Sequence, residues 1–195
     1  LGSIADLVVL ESVADAKDFL RSNKNFYILG KGSNVLLNPD TEIRSFVQLS
    51  AQILPVLSKR LELRINAGLD ISAVLALAKK KGLGGMEFAA GVPASLGGMV
   101  YMNFSCFGKS MADFVQKVRV LDEEGQDFWL ENKDLDYGYR KSIFQHKPWL
   151  ILEVVLKLVE KKEKEIEEEI CFFDPISKLI NVIKLIVEKL KLVLF

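Results

Sequence analysis

The chain has 195 residues and half of them are hydrophobic, enough for one large domain or two small ones around a buried core. Lysine plus arginine equals aspartate plus glutamate at 26 each, so there is no basic excess for nucleic-acid phosphates. One histidine and two cysteines exclude a disulfide framework, a multi-histidine metal site and a cysteine metal cluster, and no metal is expected.

Taken in chain order, Ala5 to Ser12 is β-rich, and Asp6 and Glu11 break its apolar run, so a signal peptide is not expected. Ser12 to Asn23 predicts a helix with Ser12 as N-cap and Val13, Ala16, Phe19 and Leu20 on one face. Strands are predicted at Asn25 to Gly30, at Asn34 to Asn38 and, from strict alternation, at Glu62 to Ala67. Leu69 to Gly82 predicts a helix, with Asp70 at its start, lysines in its last turn and Gly82 to end it. Lys117 to Asn132 reads as a hairpin turning at Glu-Glu-Gly, and Trp149 to Val159 as a last apolar strand. Glu160 to Glu169 is almost all charge, a solvated helix face or a linker. Asp174-Pro175 then opens an amphipathic helix over Ile176 to Leu190, read as packed on a core, since its lysines argue against spanning a membrane. No charge-free run is long enough to cross a bilayer, and a cytoplasmic protein without a membrane partner is expected.

Three segments carry chemistry. Gly30, Lys31, Gly32, Ser33 and Asn34 lie between two predicted strands. This loop has neither the Walker spacing nor the third glycine of a Rossmann fingerprint. Two glycines can turn successive N–H groups toward one anion, and Ser33 and Asn34 add donors; the alternative is a plain turn between strands. Gly82 to Asn103 is rich in glycine and almost uncharged, suited either to wrap a flat ligand at backbone range or to pack as a core loop and helix. Asp136 to Gln145 clusters two tyrosines with Arg140, which can clamp a carboxylate or phosphate or sit in a surface ion pair.

In this order, LGKGSNVLL, GLGGMEFAAGVPASLGGMVYMN and GYRKSIF resemble the motifs of the bacterial UDP-N-acetylenolpyruvoylglucosamine reductases, the MurB family, over about Leu1 to Leu158. The opening LGSIADLVVLES looks like that family's Ile-Gly-Gly-x-Ala-Asp start. The resemblance implies an α+β, two-subdomain FAD-binding fold of the vanillyl-alcohol-oxidase-like type. Its divisions would be a diphosphate-binding part at 1–50, a second FAD-binding part at 51–158 and, at 159–195, a reduced remnant of the substrate domain. It implies that Gly30, Lys31, Gly32, Ser33 and Asn34 bind the FAD diphosphate. Gly91, Pro93, Ala94, Ser95, Gly97, Gly98 and Asn103 would line the flavin, and Tyr139 and Arg140 would face the substrate. The implied reaction uses NADPH to reduce the enolpyruvyl ether of a UDP-sugar for peptidoglycan synthesis, in a monomer, with Arg140 at the substrate carboxylate.

The match breaks at the general acid. The family uses a serine in Ser-x-Phe-x-Asn-Pro, supported by a glutamate near the C-terminus. Here CFFDP is the nearest remnant, placing Cys171 near the serine position as a candidate acid, or as an ordinary buried cysteine. The final LKLVLF resembles the family's last strand, with Leu192 at the glutamate's place. Either stretches of the natural chain are missing from this sequence, the reading the undamaged flavin segments favour, or the chain is a shortened relative. Two other functions stay open: a flavoenzyme of the same fold with different chemistry, and a non-catalytic FAD-binding module that docks through its C-terminal helix.

Overall fold

The computed structural model describes residues 6–35, 45–51 and 57–174. Strand β1 (Asp6–Leu10) leads into helix α1 (Val13–Ser22), then to β2 (Tyr27–Ile28) and β3 (Ser45–Leu49). The Ser12 hydroxyl accepts the Asp15 N–H at 3.0 Å, the cap expected from sequence. β1 and β2 flank β3, and both pairs are parallel. One face of this sheet turns Leu10 and Val47 onto Ala16 and Leu20 of α1. The two-residue strand period sends Phe46, Gln48 and Tyr27 to the other face, where the rings of Tyr27 and Phe46 stack at 6.1 Å.

The chain continues through β4 (Leu57–Lys59), β5 (Glu62–Asn66), α2 (Ile71–Lys80), β6 (Leu83–Gly84) and α3 (Leu96–Tyr101). It then forms the small hairpin β7 (Ser105–Cys106) and β8 (Lys109–Ser110), followed by β9 (Val115–Leu121), β10 (Asp127–Glu131), β11 (Leu150–Lys157), β12 (Val159–Glu160) and α4 (Glu163–Phe173). An antiparallel five-stranded sheet runs β10-β9-β11-β5-β4. α2 buries Ile71, Val74, Leu75 and Ala78 in the core beneath it.

The central strand β11 serves two cores by means of a bulge. Ile151 pairs with Val120 and Glu153 with Arg119, so Leu152 is the extra residue and the side-chain alternation reverses there. Leu150 and Leu152 join Leu121 under α1, whereas Ile151, Val154 and Leu156 enter the main core. The same switch puts Glu153 on the outer sheet face, only 1% exposed, where Arg64 and Arg119 grip its carboxylate. Arg119 also forks onto Asp127, and Lys17 of α1 lies 3.8 Å from that carboxylate, so an ion network ties β5, β9, β10 and β11 together and reaches α1.

The helices predicted at Ser12 to Asn23 and Leu69 to Gly82 are present as α1 and α2, one or two residues shorter at each end, and the predicted hairpin is present as β9 and β10, beginning two residues earlier at Val115. β3 was not anticipated. Of the predicted strand at Asn34 to Asn38, Asn34 lies in a turn and residues 36–38 fall outside the described residues, as does the C-terminal helix predicted over Ile176 to Leu190. The charged run resolves as α4, a helix that is solvated on most sides but sinks Ile166 into the core and packs on α2 and on the single turn at Glu87–Ala89. Among the described residues, no helix is long and apolar enough to cross a membrane.

Candidate functional site

Where the two sheets meet, three backbone segments cross at close range. Gly97 N–H donates to Ala67 O at 2.8 Å, Leu96 N–H to Leu69 O at 2.9 Å and Ile71 N–H to Ala94 O at 3.0 Å. A Cβ on Gly68 would fall 2.6 Å from Leu49 O and 2.7 Å from Ser50 O, so only glycine lets β3 and the end of β5 touch here. The buried Asn66 locks the crossing, accepting from Gly68 N–H at 2.8 Å and donating to Ser50 O at 3.0 Å.

Above this crossing lies a cleft of about 1300 Å³. It exceeds the ~300–1,000 Å³ of ordinary small-molecule pockets and suits a dinucleotide. Its first wall is the loop Gly30 to Asn34. The Gly30 carbonyl accepts from Gln48 Nε2 at 2.6 Å, and Lys31 Nζ pairs with the Asp70 carboxylate at 2.8 Å, which explains why Asp70 makes no side-chain cap on α2. Among the described residues, none of the five backbone N–H groups of Gly30 to Asn34 donates to the protein, which leaves them available to an anion bound at this wall. The second wall is Pro93, Ala94, Ser95, Gly97 and Gly98, an uncharged surface that runs into α3. The Ser95 hydroxyl caps α3 at Gly98 N–H, 3.3 Å away, and the Gly30 backbone lies directly against it.

The one guanidinium in the cleft among the described residues is that of Arg140. It stacks over the Phe104 ring at 5.1 Å and donates from Nη2 to Ser105 O at 3.1 Å. Among the described residues no carboxylate pairs with it. The far end is framed by Lys24, which donates to Glu123 O at 3.2 Å, and by Lys147, whose ammonium lies 5.7 Å from the Trp149 ring centre.

The structure thus gathers Gly30, Lys31, Gly32, Ser33, Asn34, Pro93, Ala94, Ser95, Gly97, Gly98 and Arg140 into one cleft. Four expected residues lie off its lining. Gly91, at φ +75°, packs its open side on Asp174. Asn103 is buried, its amide donating to Gly138 O at 2.8 Å and accepting from Ala112 N–H at 3.0 Å, so both polar ends are engaged within the protein. Tyr139 is 87% exposed at the tip of its turn. Cys171 sits half-buried on α4, outside the cleft. Conversely, Gln48, Phe104 and the stretch His146 to Ile151 line the cleft without a motif to announce them; the only signal for Gln48 was a polar residue among the apolar residues of its strand. Glu87 was also missed. It is 1% exposed, accepts from Gly85 N–H at 2.8 Å and from Lys161 Nζ at 3.3 Å, and Lys161 bridges on to Glu169 of α4 at 2.6 Å.

Such a cleft accepts a long ligand with an anionic middle and a flat, apolar end. FAD has that form, and the surrounding architecture is the α+β flavin-binding fold of the vanillyl-alcohol-oxidase-like type. Residues 5–131 match the FAD binding domain family, and the chain belongs to it. FAD is the cofactor of this fold, and the loop donors and uncharged wall fit it. A UDP-N-acetylenolpyruvoylglucosamine reductase of Bacillus subtilis is 38% identical over 172 residues, 85% of this chain and 56% of that protein. One from Caldanaerobacter subterraneus subsp. tengcongensis is 35% identical over 152 residues, 77% of this chain and 50% of that protein. The crystal structure of the reductase (MurB) from Thermus caldophilus matches with a TM-score of 0.77 at 28% identity, over 91% of this chain and 64% of that one. Alkyldihydroxyacetonephosphate synthase shares the fold at a TM-score of 0.59 and 16% identity. The resemblance read from the three motifs is therefore borne out. The chain spans about half the length of the curated relatives it matches.

Proposed function

We propose that this chain is the flavin-binding part of an NADPH-dependent reductase that converts the enolpyruvyl ether of UDP-N-acetylglucosamine to UDP-N-acetylmuramate. The observation that carries the proposal is Arg140, the one guanidinium in the cleft, with no carboxylate partner among the described residues. An anion is the complement such a group lacks, and the enolpyruvyl carboxylate is one. FAD, when bound, supplies the hydride it takes from NADPH. Gly30 to Asn34 hold the diphosphate with backbone N–H groups and the Ser33 and Asn34 side chains. Pro93 to Gly98 cover the ring and exclude water. Arg140 holds the substrate carboxylate and stabilises the negative charge that develops on it, a contribution strengthened by the low dielectric of the cleft. Tyr139 faces the entering UDP-sugar.

On this reading residues 1–50 carry the diphosphate site, 51–158 the flavin wall, and 159–195 a remnant of the substrate-binding domain. The protein acts as a cytoplasmic monomer in peptidoglycan synthesis, and so in cell-wall biogenesis, cell shape and division. Proton delivery by Cys171 would require α4 to bring the thiol into the cleft, which the burial of Ile166 opposes. That placement favours a second reading, a non-catalytic FAD-binding module of the same fold. Anaerobic titration separates the two. The reductase bleaches with NADPH and regains its flavin absorbance on adding the enolpyruvyl UDP-sugar, and Arg140→Lys slows the second step by about 100-fold. The module does not regain it.

A further inference from the structure

Arg140 occupies a backbone conformation that few non-glycine residues adopt, with φ +53°. It sits in a closed turn, Gly138 N–H donating to Lys141 O at 3.1 Å and Lys141 N–H to Gly138 O at 3.2 Å. Conformations of this kind persist only where the surroundings hold them. Two buried side chains do so. Asn103, itself at φ +39°, reaches from just beyond the C-terminus of α3 to Gly138 O at 2.8 Å. Ser142, fully buried, donates to Tyr101 O on the last residue of α3 at 2.6 Å. Between them they fasten both sides of the Arg140 turn to the helix that carries Gly97 and Gly98.

We infer that Asn103 and Ser142 are positioning residues that clasp the Arg140 turn to α3 and so fix the guanidinium against the flavin wall. The inference rests on the proposed reading of Arg140 as the anion holder. Asn103 fits the task twice over. Asparagine tolerates a positive φ, and its amide can donate to one segment while accepting from another. The acceptor end is taken by Ala112 N–H, which leaves the donor end committed to the turn.

The test uses Asn103→Asp, which keeps the tolerated φ and an acceptor for Ala112 but loses the donor to Gly138. Three quantities are read: amide hydrogen exchange at Gly138 and Lys141, the Kd of FAD, and the Kd of the enolpyruvyl UDP-sugar from its perturbation of the flavin spectrum. Exchange in the turn is expected to quicken by about tenfold, the sugar Kd to rise by about tenfold and the FAD Kd to change by less than about twofold. In an Arg140→Lys background the same substitution should weaken the sugar by less than about twofold, because the group it positions is gone. Unchanged exchange, equal weakening in both backgrounds, or a parallel rise in the FAD Kd would each overturn the inference. Ser142→Ala, which removes only the bond to Tyr101, gives the same readouts if Asn103→Asp does not fold. A wild-type protein that binds no UDP-sugar overturns the proposed function, while exchange in the turn still decides the clasp.

Discussion

Gly30→Ala probes the closest approach between the diphosphate loop and the flavin wall. The added methyl would lie 2.8 Å from Ser95 Oγ and 3.6 Å from the Gly98 Cα. An ordinary contact needs about 0.6 Å more than the first of these distances. Ser95 can yield only by leaving Gly98 N–H, and loss of a serine cap costs about 1 kcal/mol. A side chain forced off its rotamer adds about 1 kcal/mol. Together these give about 2 kcal/mol, or a rise of roughly 30-fold in the FAD Kd if the strain is relieved by moving the loop. Quenching of flavin fluorescence during titration of the apoprotein measures it. The double variant Gly30→Ala, Ser95→Ala removes the obstructing hydroxyl. It should recover FAD binding to within about fivefold of wild type, while its melting temperature stays lowered by the missing cap. A single variant that binds FAD like wild type, or a double variant no better than the single, would refute the reasoning.

Four further outcomes follow from the packing. Glu153→Gln leaves Arg64 and Arg119 around a neutral amide and should lower stability by about 3 kcal/mol, a fall of roughly 6–12 °C in Tm by calorimetry. Hydrogen bonding to Arg119 holds the Asp127 carboxyl below the ordinary carboxylate range. Its stabilising contribution is therefore fully present above about pH 4 and is lost as the pH falls through the lowered value, so the Tm gap between wild type and Asp127→Asn should close in acid. Tyr137 has a buried hydroxyl without a partner among the described residues, and burial pushes its pKa up; Tyr137→Phe should melt at the same temperature or up to a few degrees higher. Glu87→Gln sets a second donor against Gly85 N–H or Lys161, and should loosen α4, detected as faster hydrogen exchange in Glu163–Phe173.

What the sequence disclosed and what it hid divide along physical lines. α1 and α2 were legible because their caps and apolar spacing are local, and the β9–β10 hairpin because its turn chemistry is. α3 was not, since Gly97 and Gly98 are poor helix formers; tertiary bonds from Gly97 to Ala67 and the Ser95 cap hold it. β3 was missed because parallel pairing with distant strands defines it, rather than its own five residues. The loop at Gly30 to Asn34 and Arg140 could be named from motifs, and the structure brings them to one cleft. Asn103 was legible as important but not as a clasp, because its partners Gly138 and Ala112 lie far along the chain. The Leu152 bulge, which lets one strand feed two cores and turns Glu153 outward, leaves no trace in an apolar run.

The proposed function requires the cleft to hold FAD with its diphosphate at Gly30 to Asn34. The most direct measurement is titration of the apoprotein with FAD, read by visible absorbance and fluorescence, beside a Gly32→Val variant. At φ +73°, Gly32 holds a left-handed conformation that valine strongly resists. Saturation at one FAD per chain is expected, with loss of that binding in the variant and the far-ultraviolet circular dichroism of the apoprotein unchanged. Wild-type protein that takes up no FAD, or a variant that binds it as tightly, would contradict the proposed function.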